Sequence, residues 1–438
     1  MSNASELNDS SSLYYNFFIY TDTGSCIFKS VSSKTSEDEI GAMNGIIQAL
    51  FFSASDLKGS INFLSTDLGT LTYKSYQYKD NTILFALIFP NFYADETIAE
   101  KITSNLLDYI YHMLLIHIGI TDLFSFKSSN DIEKLRKYLE LYEKSINYIL
   151  RNHSSINLLL KAERKYELEK DAIYSIKFYL EKIKEKLKID LICLTVKNIV
   201  VWASSDWLTI DIVDRLLFLI ISELYGGSDF NEIPIYFSKT PLEDEGIGKA
   251  PYKLFSVNLM KDTKMLLLTD NEVTIDKIDL SVFDDFFISR IIGLKNITLF
   301  SNDVINMNVK SMIVYNSIMK TYKIMIDEFE AEAFERFIMS CSFSDAFFNE
   351  DEKESEESIS KNGIDMEKNI VYDEFYVKDS NNETFYYYRI GSLSFFLLFD
   401  KEKTFDDINS VKLTLKATRE SFDNKENYKD LAELNKQI

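Results

Sequence analysis

The residues in this chain whose types could do chemistry are few and widely spaced. Thr21-Asp22-Thr23-Gly24-Ser25 spells the Asp-Thr-Gly-Ser of an aspartic protease. That chemistry needs two carboxylates sharing one proton, and no second Asp-Thr-Gly or Asp-Ser-Gly occurs. Tight-turn chemistry accounts for Asp22 and Gly24 without it. His112 and His117 are five residues apart, off the four-residue spacing that puts two ligands on one helix face. Neither Cys-x-x-Cys nor His-Glu-x-x-His accompanies them or His153, so each is expected to be a core or groove histidine rather than a zinc ligand. Phosphate-cradling G-x-x-x-x-G-K-[ST] and G-x-G-x-x-G loops are absent, as is the G-x-S-x-G nucleophile elbow. Gly226-Gly227-Ser228 follows an expected helix and reads as its C-terminal cap. The acidic run Asn349–Ser360 lacks the alternating ligands and glycine of an EF-hand. No catalytic residue, cofactor site or metal site is expected.

Two further features concern contacts. Trp202 and Trp207, the only tryptophans, flank Ser204-Ser205-Asp206 and fit either a contact anchor or the cap of a core. In Lys182–Lys188 the basic residues alternate with Glu181 and Glu185. Each lysine at an anionic membrane is worth about 1 kcal/mol, so this helix face supports at most weak peripheral membrane or phosphoinositide contact.

The elements that must position these residues follow from patterning over 438 residues, enough for about three domains. With 46% hydrophobic and 27% charged residues the chain is globular in class. Its 48 basic and 69 acidic residues leave −21, which disfavours bulk binding of nucleic acid. Cys26, Cys193 and Cys341 are odd in number and far apart, as in a reducing compartment. The polar N-terminus and the shortness of every apolar run predict a soluble intracellular protein with no transmembrane segment.

An expected hairpin at 13–31 precedes a helix over Glu37–Ala54, with Ile40, Met43, Ile47 and Leu50 at helical spacing and Ser36 as N-cap. Strands follow at Gly59–Ser65, Thr70–Gln77 and Thr82–Phe89, then a helix over about Glu96–Ile118. This is an α+β unit with a mostly antiparallel five-stranded sheet flanked by helices. Amphipathic periodicity predicts helices over Asp131–Leu150 and 156–188. The pattern then restarts: a hairpin at 190–203, a helix over Ile210–Tyr225, strands at 233–237, 254–259 and 264–269, and a helix near 277–292. The period is near 175 residues, which suits a duplicated domain. In a third block Val304–Ile326 and Glu330–Cys341 read as helical and Asn349–Ser360 as a disordered loop. Strands at 370–378, 384–390 and 393–399 and a helix near 406–422 complete it. That block reads as a divergent third copy whose first hairpin is lost or rearranged. The expected division is 13–125 and 189–295 for the first two units, 126–188 for connecting helices, and 296–425 for the third unit.

Several segments resemble one known family. They are Gly41-Ala42-Met43-Asn44-Gly45, Tyr73-Lys74-Ser75-Tyr76, Ile83–Phe89 and Ile132-Glu133-Lys134-Leu135-Arg136-Lys137, with Ser205-Asp206-Trp207 and Ile233-Pro234-Ile235-Tyr236 further on. In order and spacing the chain resembles the Fuzzy family of planar cell polarity and ciliogenesis proteins. That family belongs to the three-longin-domain group, which also contains endosomal and lysosome-related Rab exchange-factor subunits. The resemblance covers about 13–300. It implies three tandem longin domains and a partner, an Inturned-like three-longin protein. It further implies a small Rab-like GTPase engaged by the pair, and a role in vesicle trafficking and cilium assembly at the ciliary base or on endosomal membranes. The interface it implies draws on Gly41, Ala42, Asn44, Gly45, Tyr73, Tyr76 and Trp207. Membership of a sister exchange-factor family, or a vesicle adaptor or tether role, is the alternative.

Overall fold

The computed structural model describes residues 15–31, 36–56, 62–66, 69–90, 96–164, 177–178, 180–185, 189–227, 230–238, 250–260, 262–270, 309–326, 337, 374–378, 383–399 and 408–416. The chain divides into two compact units. The first comprises 1–159, 182–198 and 203–282, and the second 160–181, 199–202 and 283–438.

The first sheet grows from the expected hairpin. Strands β1 (Asn16–Thr21) and β2 (Cys26–Val31) are joined by a turn in which Gly24 N–H donates to Thr21 O at 2.9 Å. Gly24 has φ +80°, which a side chain disfavours. Helix α1 (Glu37–Asp56) opens with a capping box: Ser36 N–H donates to Glu39 Oε2 at 2.8 Å, and Glu39 N–H donates to Ser36 Oγ at 3.3 Å. Strands β3 (Phe63–Thr66), β4 (Gly69–Tyr78) and β5 (Asn81–Phe89) complete an antiparallel sheet of order β2-β1-β5-β4-β3. Alternation divides its two faces. Phe18, Tyr20, Tyr73, Leu84 and Ala86 meet Ile40, Met43, Ile47 and Leu50 of α1. On the other face Phe17 and Phe85 form an edge-to-face pair 5.5 Å apart, and Tyr76 stacks at 3.9 Å on Tyr111 of helix α2 (Glu96–Ile118).

The region expected to be one helix over Asp131–Leu150 is broken. After a short α3 (Ile120–Leu123), α4 (Ser129–Leu141) and α5 (Glu143–Arg151) meet at Tyr142, whose φ −102° and ψ 9° leave helical geometry. The expected helix over 156–188 also fails as a whole. Helix α6 (Ile156–Leu160) stops at Lys161, which has φ +46°, and Glu163–Arg164 form a strand, β6. Residues 180–185 are helical.

The second sheet repeats the first. Strands β7 (Leu191–Val196) and β8 (Ile199–Ala203) are joined by Lys197 and Asn198 at φ +49° and +60°, the left-handed pair of a two-residue hairpin turn. Helices α7 (Ser205–Leu208) and α8 (Ile212–Tyr225) follow, then β9 (Phe230–Phe237), β10 (Ala250–Met260) and β11 (Thr263–Asp270). The order, β8-β7-β11-β10-β9, has the same topology as the first sheet. Gly226 caps α8, its N–H donating to Ser222 O at 3.0 Å. The helix expected near 277–292 and the acidic run 349–360 lie outside the described residues.

The third block overturns one expectation. Val304–Ile326 is no helix where it is described: β12 (Val309–Asn316) and β13 (Thr321–Ile326) form the first hairpin of this copy, which was expected to be lost or rearranged. Met319 N–H donates to Asn316 Oδ1 at 3.0 Å and Lys320 takes φ +48°. Side-chain capping and one left-handed residue therefore turn the chain where periodicity alone gave no break. With β14 (Glu374–Lys378), β15 (Thr384–Ile390) and β16 (Leu393–Phe399) the order is β14-β15-β16-β12-β13, and β6 adds to β13 in parallel. Helical residues 408–416 cover one face through Ile408, Val411 and Leu415, while Phe337 packs on Phe385 and Phe396. The protein thus holds three tandem α+β units with the same strand order, the third extended to six strands. Among the described residues no helix is long and apolar enough to cross a membrane.

Candidate partner-docking face

The residues named as an interface separate into three places. Gly41, Ala42 and Gly45 are exposed on the outer side of α1, next to Ile46, which is 57% exposed. Asn44 is half-buried beside them and accepts a 2.6 Å hydrogen bond from the Tyr20 hydroxyl. Tyr73 lies beneath the same helix, 5% exposed, and its hydroxyl has no hydrogen-bond partner among the described residues. Burial, the neighbouring Cys26 and Tyr73 together hold the Tyr20 hydroxyl well above the usual phenol range.

Tyr76 points to the opposite face of the sheet, three residues on from Tyr73. Its hydroxyl donates to Asp108 Oδ1 at 3.0 Å, and Lys74 Nζ donates to Asp108 Oδ2 at 2.6 Å. Trp207 belongs to the core beneath the second sheet: it is fully buried against Phe218, with ring centres 5.9 Å apart. Its indole cannot form a surface contact, so the expectation that it contributes to an interface is corrected. Its neighbour Asp206 holds Lys184 at 2.9 Å, which ties the basic stretch down in an ion pair.

Gly41 and Gly45 carry the clearest signal. Among the described residues, a Cβ built on either would meet nothing within 4 Å. Neither has a positive φ. The fold around them therefore gives no steric or conformational reason for glycine, although each costs a helix interior about 1 kcal/mol relative to alanine.

Sequence reasoning missed a second set of residues, the seam between the first two sheets. Helices α4 and α5 close the β2 edge: Arg136 Nη2 donates to Cys26 O at 3.0 Å, and Ser30 Oγ donates to Asn147 Oδ1 at 2.6 Å. The other side of α5 grips α8. Ser145 Oγ lies 2.9 Å from the Tyr225 hydroxyl and 3.3 Å from His117 Nε2, and Tyr148 O–H donates to Glu223 Oε2 at 2.8 Å. The imidazole of His117 stacks on Tyr142 at 4.1 Å, and burial lowers its pKa to about 3, so the ring is neutral. At the end of α2 Gly119, with φ +80°, seats the Tyr236 ring of β9 about 3.0 Å from where a Cβ would stand. The glycine after a helix was the only sequence signal available; the hydroxyls belong to ordinary helix surfaces.

Asp22 is exposed at the hairpin tip, in a turn closed by Thr21 Oγ1 and Thr23 Oγ1 at 2.8 Å. Among the described residues no group of three or more His, Cys, Asp or Glu is placed to hold a metal ion. No protein-family model matches the chain, and no curated protein matches it.

Proposed function

We propose that the chain is a non-catalytic subunit built of longin-type units. The outer face of α1 pairs it with a second protein of the same kind, Inturned-like as the resemblance implies. The pair then engages a small Rab-like GTPase in vesicle trafficking and cilium assembly. The observation that carries the pairing is the Gly41–Gly45 face: two glycines weaken a helix that has no internal need of them, and close approach by another backbone gives them a use. Threefold recurrence of one strand order fits a tandem-longin reading. GTPase engagement rests on the resemblance, and needs no acid, base or nucleophile.

Ala42→Arg is the test, made in the full-length chain and read by co-purification together with thermal unfolding. Ala42 is exposed, so arginine is expected to leave the melting temperature within about 1 °C, on the scale of a surface change below 0.5 kcal/mol. Partner capture is expected to fall at least tenfold. Normal capture with a lowered melting temperature would assign the face to the chain's own fold and end the pairing proposal.

A further inference from the structure

The internal duplication offers a second observation on this face. Helices α1 and α8 occupy the same place in their units, each joining the second strand to the third. Aligning them on their N-caps, Ser36 and Asp211, sets Gly41, Asn44, Gly45 and Gln48 opposite Leu216, Leu219, Ile220 and Glu223. Those four residues of α8 line a cleft against Tyr148, Asn152, Ser155 and Leu158 of the α5–α6 region. The edge strand next to α8, β9, is also covered, by the end of α2 through Tyr236 on Gly119. In the second repeat, then, the outer face of this helix and its neighbouring edge strand receive a layer of helices. In the first repeat the corresponding surface is exposed at Gly41, Ala42 and Gly45, and Leu64 on the edge strand β3 is 38% exposed.

Resting on the proposed pairing, we infer that the α1–β3 face is a helix acceptor of the same kind as the α8–β9 face. Its occupant is a two-helix layer equivalent to α2 and α5, presented head-to-tail by a partner protein. Chemistry narrows that partner. The covered face of α8 meets its helices with large apolar side chains and with acceptors, Glu223 taking the Tyr148 hydroxyl and Leu224 O taking Lys144 Nζ at 2.9 Å. On α1 the large side chains are replaced by glycine and alanine, so the incoming helix must supply the bulk that α1 lacks. Asp38 is exposed in the first turn of α1, and it calls for basic or neutral residues opposite. A second copy of this chain fits poorly, because each carries −21 and like charge opposes self-association.

The geometry is testable in the full-length chain bound to its co-purified partner. A photoreactive benzoylphenylalanine is placed at Ala49, exposed at the rim of the face, and in a separate sample at Leu64; the crosslinked peptides are then sequenced. Both positions are expected to label helical segments that follow the partner's sheet rather than its counterpart of α1. Gly45→Leu is expected to weaken the complex about tenfold. Crosslinks joining α1 to the partner's α1 counterpart, crosslinks from Leu64 to an extended strand, or an intact complex without label at Ala49 would each overturn the head-to-tail geometry while leaving the pairing proposal standing. Failure to capture any partner would overturn both.

Discussion

Positions 41 and 45 set a gain in stability against a loss of binding. Among the described residues nothing lies within 4 Å of a Cβ added at either glycine, so alanine adds a side chain without a clash and removes backbone freedom from the unfolded chain. Gly41→Ala with Gly45→Ala is expected to stabilise the isolated protein by about 1–2 kcal/mol in denaturant unfolding. The same pair should weaken partner binding, because two methyl groups hold an incoming backbone away. A change of the same sign in both measurements would remove the close-approach explanation. His117 provides a second residue-scale expectation. Its folded pKa of about 3 lies below the usual value of 6.5, so between those limits the unfolded chain binds the proton and the folded one does not. Its contribution is full above pH 6.5 and is lost as pH falls toward 3. Urea unfolding of the native protein should therefore lose up to about 1.4 kcal/mol more per pH unit in that window than His117→Gln. Equal slopes would show that the ring is solvated.

At the scale of elements, α8 is the piece whose ends are most tightly specified. Gly226 has an ordinary φ of −87°, yet a Cβ there would lie 2.1 Å from Ser222 O, while Gly227 next to it has open space. Gly226→Ala is expected to cost about 2–3 kcal/mol and Gly227→Ala less than about 0.5 kcal/mol in thermal or denaturant unfolding. Similar costs at both sites would mean the glycine pair serves only as a flexible stop. Legibility in the sequence varied with the kind of cue. The hairpin at Lys197-Asn198, the N-cap at Ser36 and the α1 stripe Ile40, Met43, Ile47, Leu50 were all readable, because local chemistry and tertiary packing agree there. Val304–Ile326 was not, since short apolar runs such as Met312–Tyr315 fit a buried helix or a hairpin equally well. Its decisive cue, Asn316 turning the chain, is one side chain long. Breaks at Tyr142 and Lys161 were hidden for a related reason: the apolar spacing continues through them, and packing of α5 between the β2 edge and α8 sets where the chain bends. The docking face was half legible. Small residues on α1 could be read directly, but which way they point was a tertiary fact, and Trp207 fitted a contact anchor or a core cap equally well until its ring was seen to fill a core.

For the whole molecule, the proposed mechanism on a GTPase divides into two cases of opposite sign. A nucleotide-exchange factor prefers the open, empty state of the GTPase and so lowers its nucleotide affinity; an effector scaffold prefers the triphosphate state and so raises that affinity. Neither requires a catalytic side chain here, since both draw only on differential contact with the switch segments. We expect the assembled pair to act as the scaffold. Release of a fluorescent GTP analogue from the GTPase should slow when the pair is added, and release of the GDP analogue should not change. Ala42→Arg should abolish the slowing by dissolving the pair, without any change in the GTPase alone. A large acceleration of GDP release would make the pair an exchange factor instead. Unaltered release of both nucleotides with no detectable binding would leave a partner-binding protein with no GTPase role. The chain's charge adds a further readout. A surface of −21 attracts a basic partner face over roughly one Debye length, about 8 Å at physiological salt. Association of the pair should therefore slow several-fold between 0.05 and about 0.5 M salt, with a much smaller change in dissociation. An association rate indifferent to salt would mean that the partner meets α1 through uncharged contacts alone, and would remove the expectation of basic residues opposite Asp38.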